Sequence, residues 1–415
     1  MLRSLVGFET KFANPIVSNF MQLAIKFDNT KSVRKSLDNF QKIFVGLRTS
    51  VVNNNFIKNR KENEPIKLPL WIQDCKTACE WILKNHTPDI THSLANIAFN
   101  DNIVVVNSCH AVSDGGFFIN SLKHCLDDID TKVDITIPPI EVLKDVFSEA
   151  YKMKPELYPF DKCSYTPLEL KHPHLHPKGS PATTIEDQFP VEKLMCYDPK
   201  TKRPKSLTES LHVSLSLALN AMKNDIHMPL AMPLVYDMRR FNPNPNVNWQ
   251  HGNFVSVLNI ATNVKENMTI NEIFGLIRDE MNRSGKHHVA YAVDNNSYTP
   301  LPETIFGTVS NAGPIRIHKP IVDFHIQARY VPSDEFQDDG ANGAEIALFS
   351  LSKVFDDRNI LFTSFNYRPT AIPDKKAHII KDSIMYFLKE IPLDTKYKEA
   401  FDSIKNLQNK LDKQY

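Results

Sequence analysis

Two hydrophobic rhythms divide the chain. Residues 19–28 (NFMQLAIKFD) alternate and then run apolar, which predicts a strand. Over 30–44, Val33, Leu37, Phe40, Ile43 and Phe44 fall on one side of a 3.6-residue turn, which predicts a helix starting near Thr30 or Lys31. GLRTSVV (46–52) predicts a strand entered through a glycine. The Asn- and Lys-rich stretch 53–66 reads as a loop, and KTACEWILKNH as a short helix. SLANIAFNDNIVVVNS holds two apolar runs joined by Asn100, Asp101 and Asn102, the composition of a tight turn, and predicts a hairpin. The helix GFFINSLKHCL follows.

From about 131 to 205 the periodicity fades. IPPIEVLKDVFSEAY holds a helix, and the Pro- and His-rich stretch after it is longer than connections inside a compact domain, so it reads as a linker. DQFPVEKLMCYDP then predicts a strand. The second half restarts at SLTESLHVSLSLALNAM (206–222), an apolar helix in which Ser206 and Glu209 have capping-box spacing. MPLAMPLVYDMRRF and GNFVSVLNIATN predict strands, and TINEIFGLIRDEMNRSG a helix ended by Gly285. TIFGTVSNAGPIRI, HIQARYVP, AEIALFSLSKV and NILFTSFNYRP predict four more strands, before a closing helix in PDKKAHIIKDSIMYFLKEI. Each half mixes sheet and helix, so the order predicts a mixed α/β protein of two lobes, not a repeat or a barrel. In chain order the division is 1–165 for the first lobe, 166–190 for the linker and 191–415 for the second.

Composition narrows the function classes. With 415 residues and a net charge of +1, the chain has the size of two medium domains and no electrostatic case for nucleic acid or an anionic membrane. Neither a secretory signal nor an apolar run long enough to cross a membrane is evident, which points to a cytoplasmic protein. Peripheral contact with a membrane or lipid droplet stays open. Residues 1–12 carry a weak amphipathic pattern that suits docking on the protein's own core. Cys75, Cys79, Cys109, Cys125, Cys163 and Cys196 are irregularly spaced, and no second pair completes a zinc spacing around Cys75 and Cys79. They read as reduced thiols. Phosphate-binding glycine loops and a nucleophile elbow are missing. HPHLHP sets His172, His174 and His176 on one side of an extended chain, but its proline-rich context reads as linker and no metal is expected. His287 and His288 read as surface residues of a loop.

The stretch VVVNSCHAVSDGGFF (104–118) carries the chemistry. His110 follows a buried-looking strand and precedes a helix, the position from which a side chain reaches into a cleft. Imidazole accepts a proton near neutral pH, as the base in acyl transfer to a hydroxyl or amine must. Asp114 is the second catalytic candidate, but it reads more readily as structural than as a direct participant: a cap for the helix beginning near Gly116, or an ion-pair partner that holds the turn. Gly115 and Gly116 let the backbone turn tightly. Cys109 points to the opposite face of the strand from His110, which disfavours a Cys/His nucleophile. These residues alone leave His110 open between a general base and a satisfied structural histidine.

HAVSDGG is followed in order by VYDMRRF (235–241), HGNFVSV (251–257) and VSNAGPI (309–315), and preceded by LRTSV (47–51). With these around it, the sequence resembles the chloramphenicol-acetyltransferase-like superfamily, which includes the BAHD acyltransferases, fungal alcohol acetyltransferases and condensation domains. VSNAGPI looks most like the alcohol acetyltransferase and mycobacterial polyketide-associated branch. The resemblance covers nearly the whole chain. It implies two such lobes with a tunnel between them, and His110 in mid-tunnel as the base. Acyl-coenzyme A, acetyl by default, would be a co-substrate and no cofactor would be resident. The acceptor would be a small-molecule alcohol or amine, and the protein a monomer. Asp114 would pair with Arg239, beside Asp237, while Arg240 stays a solvated strand end. Ser310 and Asn311 would either line the tunnel, polarising the thioester oxygen, or satisfy a turn before Gly313. Condensation domains usually carry a second histidine where this chain has Cys109. The plant motif Asp-Phe-Gly-Trp-Gly has nothing closer than VDFHIQ (322–327). Two alternatives accompany this reading: a catalytically inactive relative that binds a ligand or protein, and a carrier-protein-dependent condensation-type enzyme.

Overall fold

A computed structural model describes residues 2–6, 8–59, 63–128, 148, 182–241, 254–294, 306–332, 345–369 and 372–415. The histidine triplet 172–176, Cys163 and, apart from Ser148, the helix predicted in 137–151 lie outside them.

The first half supplies β1 (Arg3–Ser4), α1 (Phe8–Phe12), β2 (Val17–Phe27), α2 (Thr30–Ile43), β3 (Thr49–Val52), β4 (Asn55–Lys58), β5 (Ile66–Lys67), α3 (Cys75–His86), β6 (Ala95–Phe99), β7 (Ile103–Cys109) and α4 (Gly115–His124). Asn29, one residue earlier than expected, caps α2 by accepting from Ser32 N at 2.9 Å. The stretch expected to be a loop contains β4. Asn53 and Asn54 both take the left-handed conformation (φ 49° and 57°), so the pair forms a two-residue hairpin turn between β3 and β4. The predicted hairpin is β6–β7, with Asn100 Oδ1 accepting from Asn102 N and Ile103 N.

The second half supplies β8 (Thr183–Pro190), β9 (Tyr197–Asp198), β10 (Arg203–Pro204), α5 (Leu207–Lys223), β11 (Leu230–Asp237), β12 (Val255–Thr262), α6 (Ile270–Asp294), β13 (Phe306–Arg316), β14 (Ile321–Pro332), β15 (Glu345–Val354), β16 (Asn359–Tyr367), α7 (Asp374–Glu390) and α8 (Tyr397–Gln414). Three local expectations change here. Ser206 is left-handed (φ 56°) and makes no side-chain cap; Arg278 bridges it to Glu209 instead. The reciprocal capping box forms at α6, where Thr269 N donates to Glu272 Oε2 at 2.7 Å and Glu272 N to Thr269 Oγ1 at 3.3 Å. Gly285 does not end that helix, which runs on to Asp294 through His287 and His288. One interior glycine costs about 1 kcal/mol against alanine, too little to stop a helix held by packing. Helix α8 was not among the predicted elements: its buried stripe of Tyr397, Ala400, Phe401, Ile404 and Gln408 is set in a largely polar sequence.

Two mixed sheets organise these elements. The first has the order β14-β2-β7-β6-β5 and the second β12-β11-β13-β15-β16-β8. Strand β14, from the second half, pairs antiparallel with β2, and β8 begins inside the stretch expected as linker. The sheets therefore cross the chain-order division. Helices α5 to α8 contribute to one large apolar cluster of the second lobe. The first lobe's cluster takes in Ile315, Ile317, Leu351 and Phe362 of the second half, so the lobes share an apolar seam. A polar clasp joins it: Glu186 on β8 meets Lys76 of α3 at 2.8 Å and lies 3.6 Å from His325 on β14. Among the described residues, no helix is long and apolar enough to cross a membrane.

Helix α5 is buried almost all round, and His212 sits within it at 0% exposure. Burial pushes its imidazole down to about 4, against partial offsets from backbone groups of Ile260 and Met232. An unfolded chain takes up this proton from about pH 6.5 downward, the native chain only near pH 4. Stability is thus unaffected above pH 7 and falls by roughly 3 kcal/mol as the pH drops across that window. Urea unfolding at pH 7 and pH 4.5 measures the loss. A His212→Gln variant should flatten the difference, and an unchanged difference would assign it to other groups.

Candidate active site

The site forms where β7 ends and α4 begins. Cys109 N donates to Leu94 O at 2.7 Å and His110 N to Asn19 O at 2.8 Å, which pins the strand end between β2 and the β6 side. His110 is partly buried. Its ring lies flat on that of Phe12, with centroids 4.1 Å apart and planes 13° apart. Enclosure holds its pKa below the ordinary histidine value, against the Asp114 carboxylate and backbone groups at His110 and Ser113. The imidazole is therefore neutral, and able to accept a proton, at neutral pH. Burial pushes the neighbouring Cys109 thiol up to about 12, so it is no thiolate nucleophile. Cys75, Cys79, Cys125 and Cys196 are likewise free and buried, and no cluster among the described residues is built to hold a metal.

Asp114 performs both structural tasks that its position suggested. It caps α4, Oδ1 accepting from Phe117 N at 2.9 Å. It also receives Arg239 Nη1 on Oδ1 at 2.7 Å and on Oδ2 at 2.8 Å, from the far lobe. Phe254 N adds a third donor, to Oδ2 at 2.9 Å. Asp114 is fully buried and Arg239 is 6% exposed. Arg239 also meets Asp237 Oδ1 at 3.2 Å, and its guanidinium lies 4.5 Å from the centroid of the Phe254 ring. Burial disfavours the Arg239 cation, but the Asp114 and Asp237 carboxylates more than offset this and raise its pKa. With both oxygens committed to donors, Asp114 works as a clasp and not as a proton carrier.

The glycine that matters is the second of the pair. A Cβ on Gly115 would meet nothing within 4 Å, so no side chain of the protein crowds that position. A Cβ on Gly116 would strike the Asp237 carboxylate and stand 2.7 Å from Arg239 Nη1. We expect Gly116→Ala to cost about 1–3 kcal/mol by overpacking the clasp, and Gly115→Ala to be near neutral. Paired thermal melts read this directly, and equal shifts would refute it.

Ser310 and Asn311 lie on β13, opposite Phe349 and Ser350 of β15. Asn311 is tied down: Oδ1 accepts from Gly313 N at 3.0 Å and Ser350 Oγ at 3.1 Å, and Nδ2 donates to Thr208 Oγ1 at 3.0 Å. It braces a bulge in which Gly313 is left-handed (φ 74°). VDFHIQ lies on β14, where His325 is buried beside Gln327 and Glu186. A cleft of about 510 Å³ on the second lobe, bordered by Cys196, Lys205 and Arg278, contains none of the residues expected at the site. Sequence reading missed Phe12 and Phe254. The second stood inside the quoted HGNFVSV, whereas nothing local marks the first.

Two mixed sheets, a strand exchanged between the lobes and a histidine at the end of β7 give this chain the condensation-domain or chloramphenicol-acetyltransferase-like fold. Solved structures carry the likeness. The starter condensation domain of rhizomide synthetase RzmA, in complex with C8-CoA, is 10% identical with a TM-score of 0.63, over 95% of this chain and 96% of that one. The epimerization domain of tyrocidine synthetase B is 12% identical with a TM-score of 0.61, over 95% and 93%. Polyketide synthase associated protein 5 from Mycobacterium tuberculosis is 12% identical with a TM-score of 0.61, over 94% and 97%. No protein-family model matches the chain, and no curated protein matches it in sequence.

Proposed function

We propose that the protein is an acyl-coenzyme A-dependent acyltransferase with His110 as general base. The observation that carries this reading is the division of labour at the β7–α4 turn: Asp114 is consumed by the clasp, and His110 is left neutral on a rigid strand end. The acceptor hydroxyl or amine gives its proton to the imidazole as its oxygen or nitrogen attacks the thioester carbonyl. The tetrahedral intermediate collapses by breaking the carbon–sulfur bond. The imidazolium then returns the proton to the departing coenzyme A thiolate, so no acyl-enzyme forms. The donor and acceptor meet between the lobes, divided in chain order at 166–190, and Ser310 stands on the second-lobe side. By resemblance the acceptor is a small alcohol or amine and the default acyl group is acetyl. A longer donor draws support from the RzmA domain, whose complex holds C8-CoA.

The test is thiol release from acyl-coenzyme A donors of graded length, first with water and then with alcohols and amines. Transfer that depends on His110 supports the reading. The fold likeness to condensation domains favours one second reading, a carrier-dependent enzyme acting in trans. Inert free acyl-coenzyme A together with active carrier-bound acyl groups would select it, and a well-folded protein that binds neither would select a non-catalytic relative.

A further inference from the structure

The first residues form a plate behind the histidine. Strand β1 pairs with β4, and Leu2 N and Leu5 N donate to Phe56 O and Asn54 O at 2.7 and 2.9 Å. Arg3 and Glu9 make a buried bidentate pair at 2.6 and 2.5 Å, and Val6 N donates to Glu9 Oε2 at 2.9 Å. The Arg3 guanidinium also lies 4.9 Å from the centroid of the Phe56 ring. Leu5 and Ala13 pack with Cys109, Ala111 and Val112, on either side of His110 in sequence. These contacts hold the five-residue helix α1 in one place. Its last residue, Phe12, accepts from Cys109 Sγ at 3.5 Å and lays its ring on the imidazole. A short surface helix seldom buries a bidentate ion pair, because desolvating two charges is costly. Here the pair anchors the aromatic ring that covers one face of His110.

We infer that Phe12 is a positioning residue for His110, its ring fixing the plane of the imidazole and stabilising the imidazolium that exists while the proton is in transit. This rests on His110 being the base. Neutral imidazole is held by dispersion and shape alone. Once protonated it becomes a planar cation against the electron-rich face of benzene, and the attraction grows. Asp114 also favours the protonated ring, but the charged groups nearby are largely paired with one another. Asp114 is matched by Arg239, with Asp237 beside it, and Glu9 behind α1 is matched by Arg3. Phe12 thus leaves the resting imidazole neutral and favours the charged form as it appears, which is differential stabilisation of the transition state. The stack covers a face of the ring and not its edge.

The experiment replaces Phe12 with phenylalanines bearing one, two and three ring fluorines, which withdraw electron density from the face at little change in shape. Phe12→Leu and Phe12→Tyr complete the series. Histidine labelled with ¹³C at Cε1 reports the His110 titration, assigned by its loss in His110→Ala, and needs no substrate. Successive fluorination should lower the His110 pKa stepwise, by about half to one unit in all. With a turned-over donor, kcat should fall about 3- to 10-fold over the same series at constant KM, and Phe12→Tyr should restore it. A flat titration across the series overturns the inference, even if Phe12→Leu loses activity or fails to fold. If no acyl donor is used at all, the proposed function fails by itself and the titration still decides the role of Phe12.

Discussion

Replacing Asp114 by alanine should lower the free energy of unfolding by about 3–5 kcal/mol, the usual cost of removing one partner from a buried ion pair. The physical reason is specific to this carboxylate. Arg239 would be left buried with a charge that Asp237, 37% exposed at its side chain, compensates only in part. Phe117 N would lose its cap and Phe254 N its acceptor. Asp114→Asn should fall between alanine and the natural residue, because an amide oxygen still caps α4 but brings no charge. Asp114→Ala combined with Arg239→Met should recover much of the loss, since no cation is then stranded. Denaturant midpoints at constant m-value give all three numbers. A loss under about 1 kcal/mol for Asp114→Ala would mean that the clasp adds little to the joining of the lobes.

His110→Ala should do the reverse, sparing the fold and removing the chemistry. The loss of a positioned base predicts a fall in turnover of about 10²–10⁴-fold, with little change in KM. If the proposed function holds, the pH profile of the unaltered protein should carry the same signature. The base must be neutral to act, and enclosure holds its pKa below the ordinary value. Activity should therefore persist into mild acid and fall only as the pH passes a value below 6.5, the ordinary one. His110→Ala should lose that acid limb along with the rate. Full transfer by a well-folded His110→Ala variant would remove His110 from the mechanism. The two substitutions should separate cleanly: four residues apart, one is expected to act on stability and the other on rate.

The legible parts of this protein are those whose cause is local. The β6–β7 hairpin was readable because Asn100 to Asn102 suit a turn and the flanking runs are apolar. The start of α4 was readable because Asp114 precedes it at capping distance. Even the pairing of Asp114 with Arg239, 125 residues away, was foreseen, but from a resemblance and not from the residues themselves. What escaped has non-local causes. Ser206 and Glu209 have the spacing of a capping box, yet Arg278 takes both, and the box forms instead at Thr269 and Glu272. Gly115 and Gly116 are alike in sequence, and only the approach of Asp237 and Arg239 makes the second one matter. Phe12 is one aromatic residue among 25 phenylalanines until β1 and the Arg3–Glu9 pair bring it to His110.

By itself, the sequence determined the alternation of sheet and helix, the two-lobed class, and a histidine on a strand end followed by a helix cap. Periodicity and capping are near-neighbour effects, written within about a turn or a hairpin of the residues that show them. The tertiary structure alone decided which faces meet. It sends β14 across to β2, spends both oxygens of Asp114 on the other lobe, and sets a ring from the first helix against the imidazole. Hydrophobic pattern states that a face is buried but not what buries it, and the role proposed for His110 depends on the second fact.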